Sequence, residues 1–318
     1  MASTTIVPAT LVEAFRRDGY VVVPDLLSHD ELDRYAVEVT RAVAARKAGD
    51  GRALEEKSRY EQSFVQCQNL WEDWPTVRPL TFHPRLAQVA AELLGAEGVR
   101  LWHDQALYKE PHGRETDAHQ DQPYWPIEEP LTATAWIPFE GSTLRSGAMG
   151  YVPGSHRIGL RRFVDIFTGE PDDLLAEPSL QGREPVFVEV PKGSVAFHHG
   201  LTAHLARPNA TDRPRAVHTV IYLADGCHRS SGRQRHPAVD RPGIPPGGLI
   251  ASGVTPIAWP RPAGDLPPRP SEPWPSTAHV RSGVTPTTES PESSGETEAP
   301  GGTEAPGGTE APRPSGAG

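Results

Sequence analysis

The stretch Leu86-Ala-Gln-Val-Ala-Ala-Glu-Leu-Leu-Gly95-Ala-Glu-Gly98-Val-Arg-Leu-Trp-His-Asp-Gln-Ala-Leu-Tyr-Lys109 changes periodicity half-way along. Leu86, Val89, Ala90, Leu93 and Leu94 recur at the spacing of one helix face, and Gly95 supplies a left-handed stop. Beyond Gly98 the texture is that of strands, beginning with Val99 to Lys109. Towards the N-terminus the reading is mostly helical. Pro8 to Arg17 is a short helix ended by Asp18-Gly19, Tyr20 to Val23 is a strand ended by Pro24, and Ser28 with Glu31 forms a capping box. The helix after that box has Leu32, Tyr35, Ala36, Val39 and Val43 on one face. Towards the C-terminus, Thr132 to Phe139, Val186 to Val190, Ser194 to His198 and Ala216 to Leu223 are β-type runs set apart by turns such as Pro191-Lys192-Gly193. Helices followed by strands give an α+β class, mainly β, with an antiparallel sandwich or barrel.

The chain has 318 residues, 36% hydrophobic and 23% charged, enough for a large core. Residues 1–240 read as one folded domain, 241–275 as a Pro-rich extension, and 276–318 as a disordered acidic tail of Pro, Gly, Thr and Glu. The tail repeats Thr-Glu-Ala-Pro three times, and from Ser282 to Gly318 six Glu against one Arg account for −5 of the formal −10. That balance argues against a nucleic-acid backbone as partner. Neither a basic, apolar leader nor a run of about 20 apolar residues occurs, so no membrane partner and a cytoplasmic location are expected. Cys67 and Cys227, without CxxC spacing, fit reduced thiols. Oligomeric state has no signature in the sequence.

The segment richest in chemistry is His119-Gln120-Asp121. In a strand, residues two apart share a face, so imidazole and carboxylate point the same way. A bare HxD is most often a surface His beside a solvated Asp. The second segment, Phe197-His-His-Gly-Leu-Thr-Ala-His204, raises the odds, with Arg215 eleven residues after His204. Two imidazoles and one carboxylate on one face leave positions open, the arrangement of non-haem Fe(II) oxygenases. A zinc- or manganese-dependent hydrolase or isomerase on a cupin-like barrel uses similar ligands, but needs a general base in place of a guanidinium able to clamp a carboxylate.

Ala118-His-Gln-Asp-Gln-Pro-Tyr-Trp125, the Pro153-Gly-Ser-His156 turn, His204 and Arg215 together resemble the phytanoyl-CoA dioxygenase-like family of Fe(II)/2-oxoglutarate oxygenases. The resemblance runs from about Leu11 to Ala224 and includes the opening Asp18-Gly19-Tyr20-Val-Val-Val-Pro24. It implies a double-stranded β-helix, or jelly roll, braced by the N-terminal helices. It also implies His119, Asp121 and His204 as iron ligands and Arg215 as the partner of the 2-oxoglutarate C5 carboxylate. Gln105, Trp136 and Gln68, with Gln66 close behind, are the implied further cosubstrate contacts. The implied activity is hydroxylation of a small-molecule C–H bond with Fe(II), 2-oxoglutarate and O2, releasing succinate and CO2. Halogenating relatives replace the carboxylate with a small residue, and Asp121 keeps it.

One position departs from the family. A Ser commonly stands two residues after the distal His, where this chain has Ala206. The missing donor is expected to weaken the grip on the cosubstrate unless a hydroxyl such as that of Thr134 replaces it. This departure leaves a catalytically silent jelly-roll binding protein as the alternative. His198 and His199 read as strand-shaping residues, His103 and His112 as polar positions at the barrel mouth, and His156 as a turn stabiliser. Asn209 and Thr211 read as ordering the loop before Arg215. Trp71, Trp74, Tyr124 and Trp125 read as core, with Tyr124 or Trp125 the candidates for a pocket wall. Residues 49–74 and 163–182 are expected to select the substrate and carry no recognisable motif.

Overall fold

The computed structural model describes residues 5–167, 172–232, 234–262 and 264–272. Helix α1 (Ala9–Asp18) ends where Gly19 takes φ 83°, and strand β1 (Tyr20–Val23) starts at once. A Cβ at Gly19 would stand 2.4 Å from both His156 Nδ1 and Thr202 Oγ1, so this corner needs glycine on two counts. Helix α2 (His29–Lys47) begins with Ser28 Oγ accepting the Glu31 N–H at 3.3 Å and buries Leu32, Val39 and Val43. Three short helices, α3 (Arg59–Ser63), α4 (Leu70–Asp73) and α5 (Arg78–Thr81), follow, with strand β2 (Val65–Gln68) between the first two. Helix α6 (Pro84–Leu94) buries Leu86, Val89, Ala90 and Leu93, and each fully buried leucine contributes about 1.5–3 kcal/mol of transfer free energy. No helix among the described residues is long and apolar enough to cross a membrane.

The remaining strands are β3 (Val99–Lys109), β4 (Thr116–His119), β5 (Thr132–Pro138), β6 (Met149–Tyr151), β7 (Val186–Val188), β8 (Val195–His199), β9 (His204–Ala206), β10 (Arg215–Ala224) and β11 (Ile257–Trp259). They form two antiparallel sheets of a jelly roll. One has the order β1-β8-β5-β10-β3-β11 with β2 also on β3, and the other the order β4-β9-β6-β7. The outer face of the larger sheet packs against α1, α2 and α6 in a core holding Phe15, Val39, Leu86, Ala135, Phe197 and Val220. Its inner face meets the smaller sheet around Trp136, Met149, Tyr151, Ala206 and Val217.

Register aligns the inner face in rows. One row runs Gln68, Gln105, Thr219, Trp136 and Ala196 across five strands. In the smaller sheet His119 pairs with His204, which pairs with Tyr151, and Thr116 pairs with Ala206. The segment read as a Pro-rich extension contains β11, which pairs with β3, and is tied back by Arg241, a bidentate partner of Glu72 at 2.8 and 2.9 Å. The acidic tail lies outside the described residues.

Asp104 is fully buried on the helix side of β3, where Oδ2 accepts from Thr81 Oγ1 at 2.7 Å and from the Trp71 N–H at 3.2 Å. His218 Nε2 lies 3.5 Å from the same oxygen. Burial raises the Asp104 carboxyl to about 7 and pushes His218 down to about 3. A raised carboxyl binds a proton on folding, so its stabilising contribution is present below its unfolded value of 3.8 and is lost as pH rises through about 7. His218 acts in the opposite sense and is common to wild type and variant. The stability advantage of the wild type over Asp104→Asn is therefore expected to shrink by roughly 2–4 kcal/mol between about pH 4 and 7, at 1.36 kcal/mol per unit. Denaturant titrations at the two ends check this, and a pH-independent difference would refute it.

Candidate functional site

His119 and His204 leave paired positions of β4 and β9, and both rings are held by the chain two residues earlier. His119 Nδ1 donates to Asp117 O at 2.8 Å and His204 Nδ1 to Thr202 O at 2.9 Å, which turns both Nε2 atoms inward. Asp121 corrects the expectation that strand alternation brings it alongside His119. Strand β4 ends at His119, and Asp121 sits at φ −76°, ψ −41° as the entry to a helical turn over Gln122–Tyr124. The Asp121 and Gln122 N–H groups both donate to Gly200 O, at 3.0 and 2.9 Å, which folds the carboxylate back under the imidazoles. A Cβ at Gly200 would stand 2.1 Å from Thr132 Oγ1, so this approach also requires glycine.

Asp121 Oδ1 lies 3.8 Å from His119 Nε2 and 3.6 Å from His204 Nε2, and one ligand atom from each residue lies within 4.8 Å of the others. The other carboxylate oxygen, Oδ2, accepts from Thr134 Oγ1 and from His198 Nε2, each at 3.0 Å. Two expectations change here. Thr134 gives its hydroxyl to Asp121 and is not free to replace the missing Ser, while His198, read as strand-shaping, orients the carboxylate. Burial raises the Asp121 carboxyl, but His204, the His198 hydrogen bond and His119 outweigh it and hold the group below the usual carboxylate range. Burial, together with the neighbouring His119, pushes His204 down to about 3, and burial also lowers His119. Neutral imidazoles and an ionised carboxylate are the protonation states that bind a metal.

Above the triad is a cleft that opens to solvent. Gln68, Gln105, Trp136 and Arg215 all line it. Arg215 is 4% exposed, with Nη1 donating to Gly147 O at 2.6 Å and the guanidinium 5.2 Å above the Trp136 ring. Its Nε has no acceptor among the described residues, and burial lowers its pKa to about 10, which leaves it charged at neutral pH. A buried cation with an unused donor, in the same cleft as two free Nε2 atoms and a carboxylate, suits a chelating keto acid with a second carboxylate. Thr116, the register partner of Ala206, lines the cleft as well, and its Oγ1 is 3.5 Å from Lys109 Nζ.

Other expected residues fall at varied distances from the chemistry. His103 is buried and lines the cleft, whereas His112 is exposed on a loop at φ 60°. His156 Nε2 donates to Arg16 O at 3.1 Å, pinning the 153–156 turn to α1. Asn209 Nδ2 reaches the carbonyls of Lys109, Glu110 and Arg213. Trp71 is core, while Tyr124 and Trp125 line the cleft. Sequence reasoning missed Tyr60, Phe64 and Phe167, which also line it. The signal for the first two was an aromatic pair at i, i+4 just before the Gln66-Cys67-Gln68 strand.

A family model described as phytanoyl-CoA dioxygenase (PhyH) matches residues 15–217, a span that includes the triad and Arg215. The chain belongs to the phytanoyl-CoA dioxygenase family. Its family relative phytanoyl-CoA dioxygenase domain-containing protein 1 of Mus musculus is 30% identical over 183 residues, 54% of this chain and 61% of the mouse protein's length. Ectoine dioxygenase of Sphingopyxis alaskensis is 28% identical over 243 residues, 69% of this chain and 76% of that one. Among solved structures, the non-heme alpha ketoglutarate dependent carbocyclase SnoK from nogalamycin biosynthesis has a TM-score of 0.65 at 28% identity, covering 81% of this chain and 99% of that chain. The epimerase SnoN from the same biosynthesis has a TM-score of 0.61 at 25% identity, covering 79% and 98%. The family's jelly roll is thus shared with enzymes that carry out different reactions.

Proposed function

We propose that this chain is an Fe(II)- and 2-oxoglutarate-dependent dioxygenase that hydroxylates a C–H bond of a small molecule and releases succinate and CO2. The observation carrying this reading is the convergence of His119 Nε2, His204 Nε2 and Asp121 Oδ1 in the cleft that also holds the buried Arg215. Bound Fe(II) supplies the dioxygen chemistry, with oxidative decarboxylation of the keto acid providing the electrons. The chain's own part is to position the reacting groups. His119, Asp121 and His204 would hold the metal, and Thr134 with His198 keeps the carboxylate from rotating. Arg215 takes the C5 carboxylate of the cosubstrate, with Trp136 beneath its guanidinium and Thr116 offering the hydroxyl that position 206 lacks. Gln105 and Gln68, neighbours in one register row, line the same cleft and would contact the cosubstrate.

Anaerobic titration of the Fe(II)-loaded protein with 2-oxoglutarate tests the assignment. A weak visible charge-transfer band is expected, and its absence from folded, metal-loaded protein would overturn the reading. In Arg215→Ala the band is expected to need about 10- to 100-fold more 2-oxoglutarate, the loss of a charged hydrogen bond of roughly 1.5–3 kcal/mol. An unchanged titration would remove Arg215 from the site. The relatives named carbocyclase and epimerase favour a second reading, in which the same C–H activation ends in ring closure or inversion. Product mass separates the outcomes: one oxygen gained, two hydrogens lost, or no change.

A further inference from the structure

Two tyrosines wall the cleft, and both use their hydroxyls within the protein. Tyr60 Oη donates to Gln66 Oε1, and Tyr124 Oη donates to Val164 O at 2.7 Å. What they offer a ligand is ring. Tyr60 lies 4.9 Å from Phe64 and 4.7 Å from Phe167 between ring centroids, at 71° and 59°, and Phe167 lies 5.6 Å from Tyr124 at 76°. These four rings come from three separate segments and make one continuous wall of edge-to-face and tilted contacts. The Tyr124 ring is 5.9 Å from that of His119, so the wall begins at the metal triad.

The charges are distributed to match. Among the described residues lining the cleft, Arg215 is the only Lys or Arg and Asp121 the only acid, and both have roles in the proposed cosubstrate and metal site. Of the arginines adjoining the wall in sequence, Arg59 is paired with Asp117 at 2.8 Å and Arg162 with Asp172 at 2.6 Å and Glu177 at 3.6 Å, while Arg161 donates from Nη2 to Ile158 O at 3.0 Å and does not line the cleft. A coenzyme A thioester needs free cations for its phosphates, and a zwitterion needs a counter-charge for each of its ends. Placing either charge here unpaired is unfavourable. Flat rings, by contrast, gain from ring-to-ring contacts with such a wall.

We propose that the substrate is an uncharged, mostly apolar molecule whose reacting part is a planar ring system, presented free and not as a coenzyme A ester. This rests on the metal and cosubstrate assignment above and names the substrate class for that same site. The test is calorimetric titration of anaerobic Fe(II)- and 2-oxoglutarate-loaded protein with four probes: 2-naphthol, decahydro-2-naphthol, naphthalene-2-sulfonate and octanoyl-coenzyme A. The 2-naphthol is expected to bind about tenfold or more tightly than its saturated and its sulfonated counterparts. Octanoyl-coenzyme A is expected to show no saturable binding. Phe167→Ala, at the partly buried link between Tyr60 and Tyr124, is expected to weaken 2-naphthol about fivefold or more while the 2-oxoglutarate charge-transfer band still forms. Equal binding of the saturated alcohol or the sulfonate, saturable octanoyl-coenzyme A binding, no measurable 2-naphthol binding, or indifference to Phe167→Ala would overturn the proposal. Protein that ranks the probes as expected but forms no band upholds the ligand class and overturns the cosubstrate assignment instead.

Discussion

Asp121→Ala is expected to abolish metal-dependent turnover, lowering it by a factor on the order of 10³ or more, because a catalytic metal is worth several kcal/mol and each 1.4 kcal/mol is tenfold. The substitution removes the one anionic ligand. It also leaves Thr134 Oγ1 and His198 Nε2 without the acceptor they share at 3.0 Å. The imidazoles are not the cause of the loss. Asp121 raises the pKa of His119 and His204, so removing it keeps both neutral and able to ligate. Equilibrium dialysis of Fe(II), followed by oxygen consumption with 2-oxoglutarate, reads the two effects separately. Wild-type turnover in the variant without added chloride or formate would show that another group holds the metal.

Arg241→Leu carries the largest expected effect on stability. Arg241 and Glu72 are each 1% exposed and share two hydrogen bonds, and Arg241 also donates to Glu272 O at 2.8 Å. Removing the arginine takes both of these hydrogen bonds and their positive charge from a buried carboxylate, which costs about 3–5 kcal/mol. For a domain of this size that corresponds to a Tm lower by about 6–20 °C. The double variant Glu72→Leu/Arg241→Leu is expected to recover most of the loss, since an apolar pair of similar volume is often as stable as the buried ion pair. A small change in the single variant would show that the carboxylate can reach water. The pair connects α7 (Pro237–Asp240) and the chain after it to α4, which directly follows the strand bearing Gln66 and Gln68. Tm and the 2-oxoglutarate titration measured together would show whether the tie also positions those glutamines.

Much of the layout was legible because it rests on local physics. Helix α6 and strand β3 lie where the periodicity changes at Gly95 to Gly98, since a helix face and a left-handed stop are encoded within a few residues. Spacing was less reliable at His119 and Asp121. The two do converge, but through a turn held by the Gly200 carbonyl, a contact made 79 residues downstream of Asp121. Position 206 was read correctly as lacking a hydroxyl, yet the replacement named from sequence, Thr134, is tied to Asp121 by its register with His198.

By itself the sequence determined which residue types were available for chemistry and in what order: HxD, a distal His, and an Arg eleven residues on. It did so because ligand chemistry belongs to the side chains themselves. Only the tertiary structure decided how those groups are oriented and what surrounds them. Thr134, His198 and Gly200 reach Asp121 from other segments, and Tyr60, Tyr124 and Phe167 meet across more than 100 residues of chain. The physical reason is that cross-strand register and loop packing depend on partners distant in sequence, and no local pattern records which partner a side chain will meet.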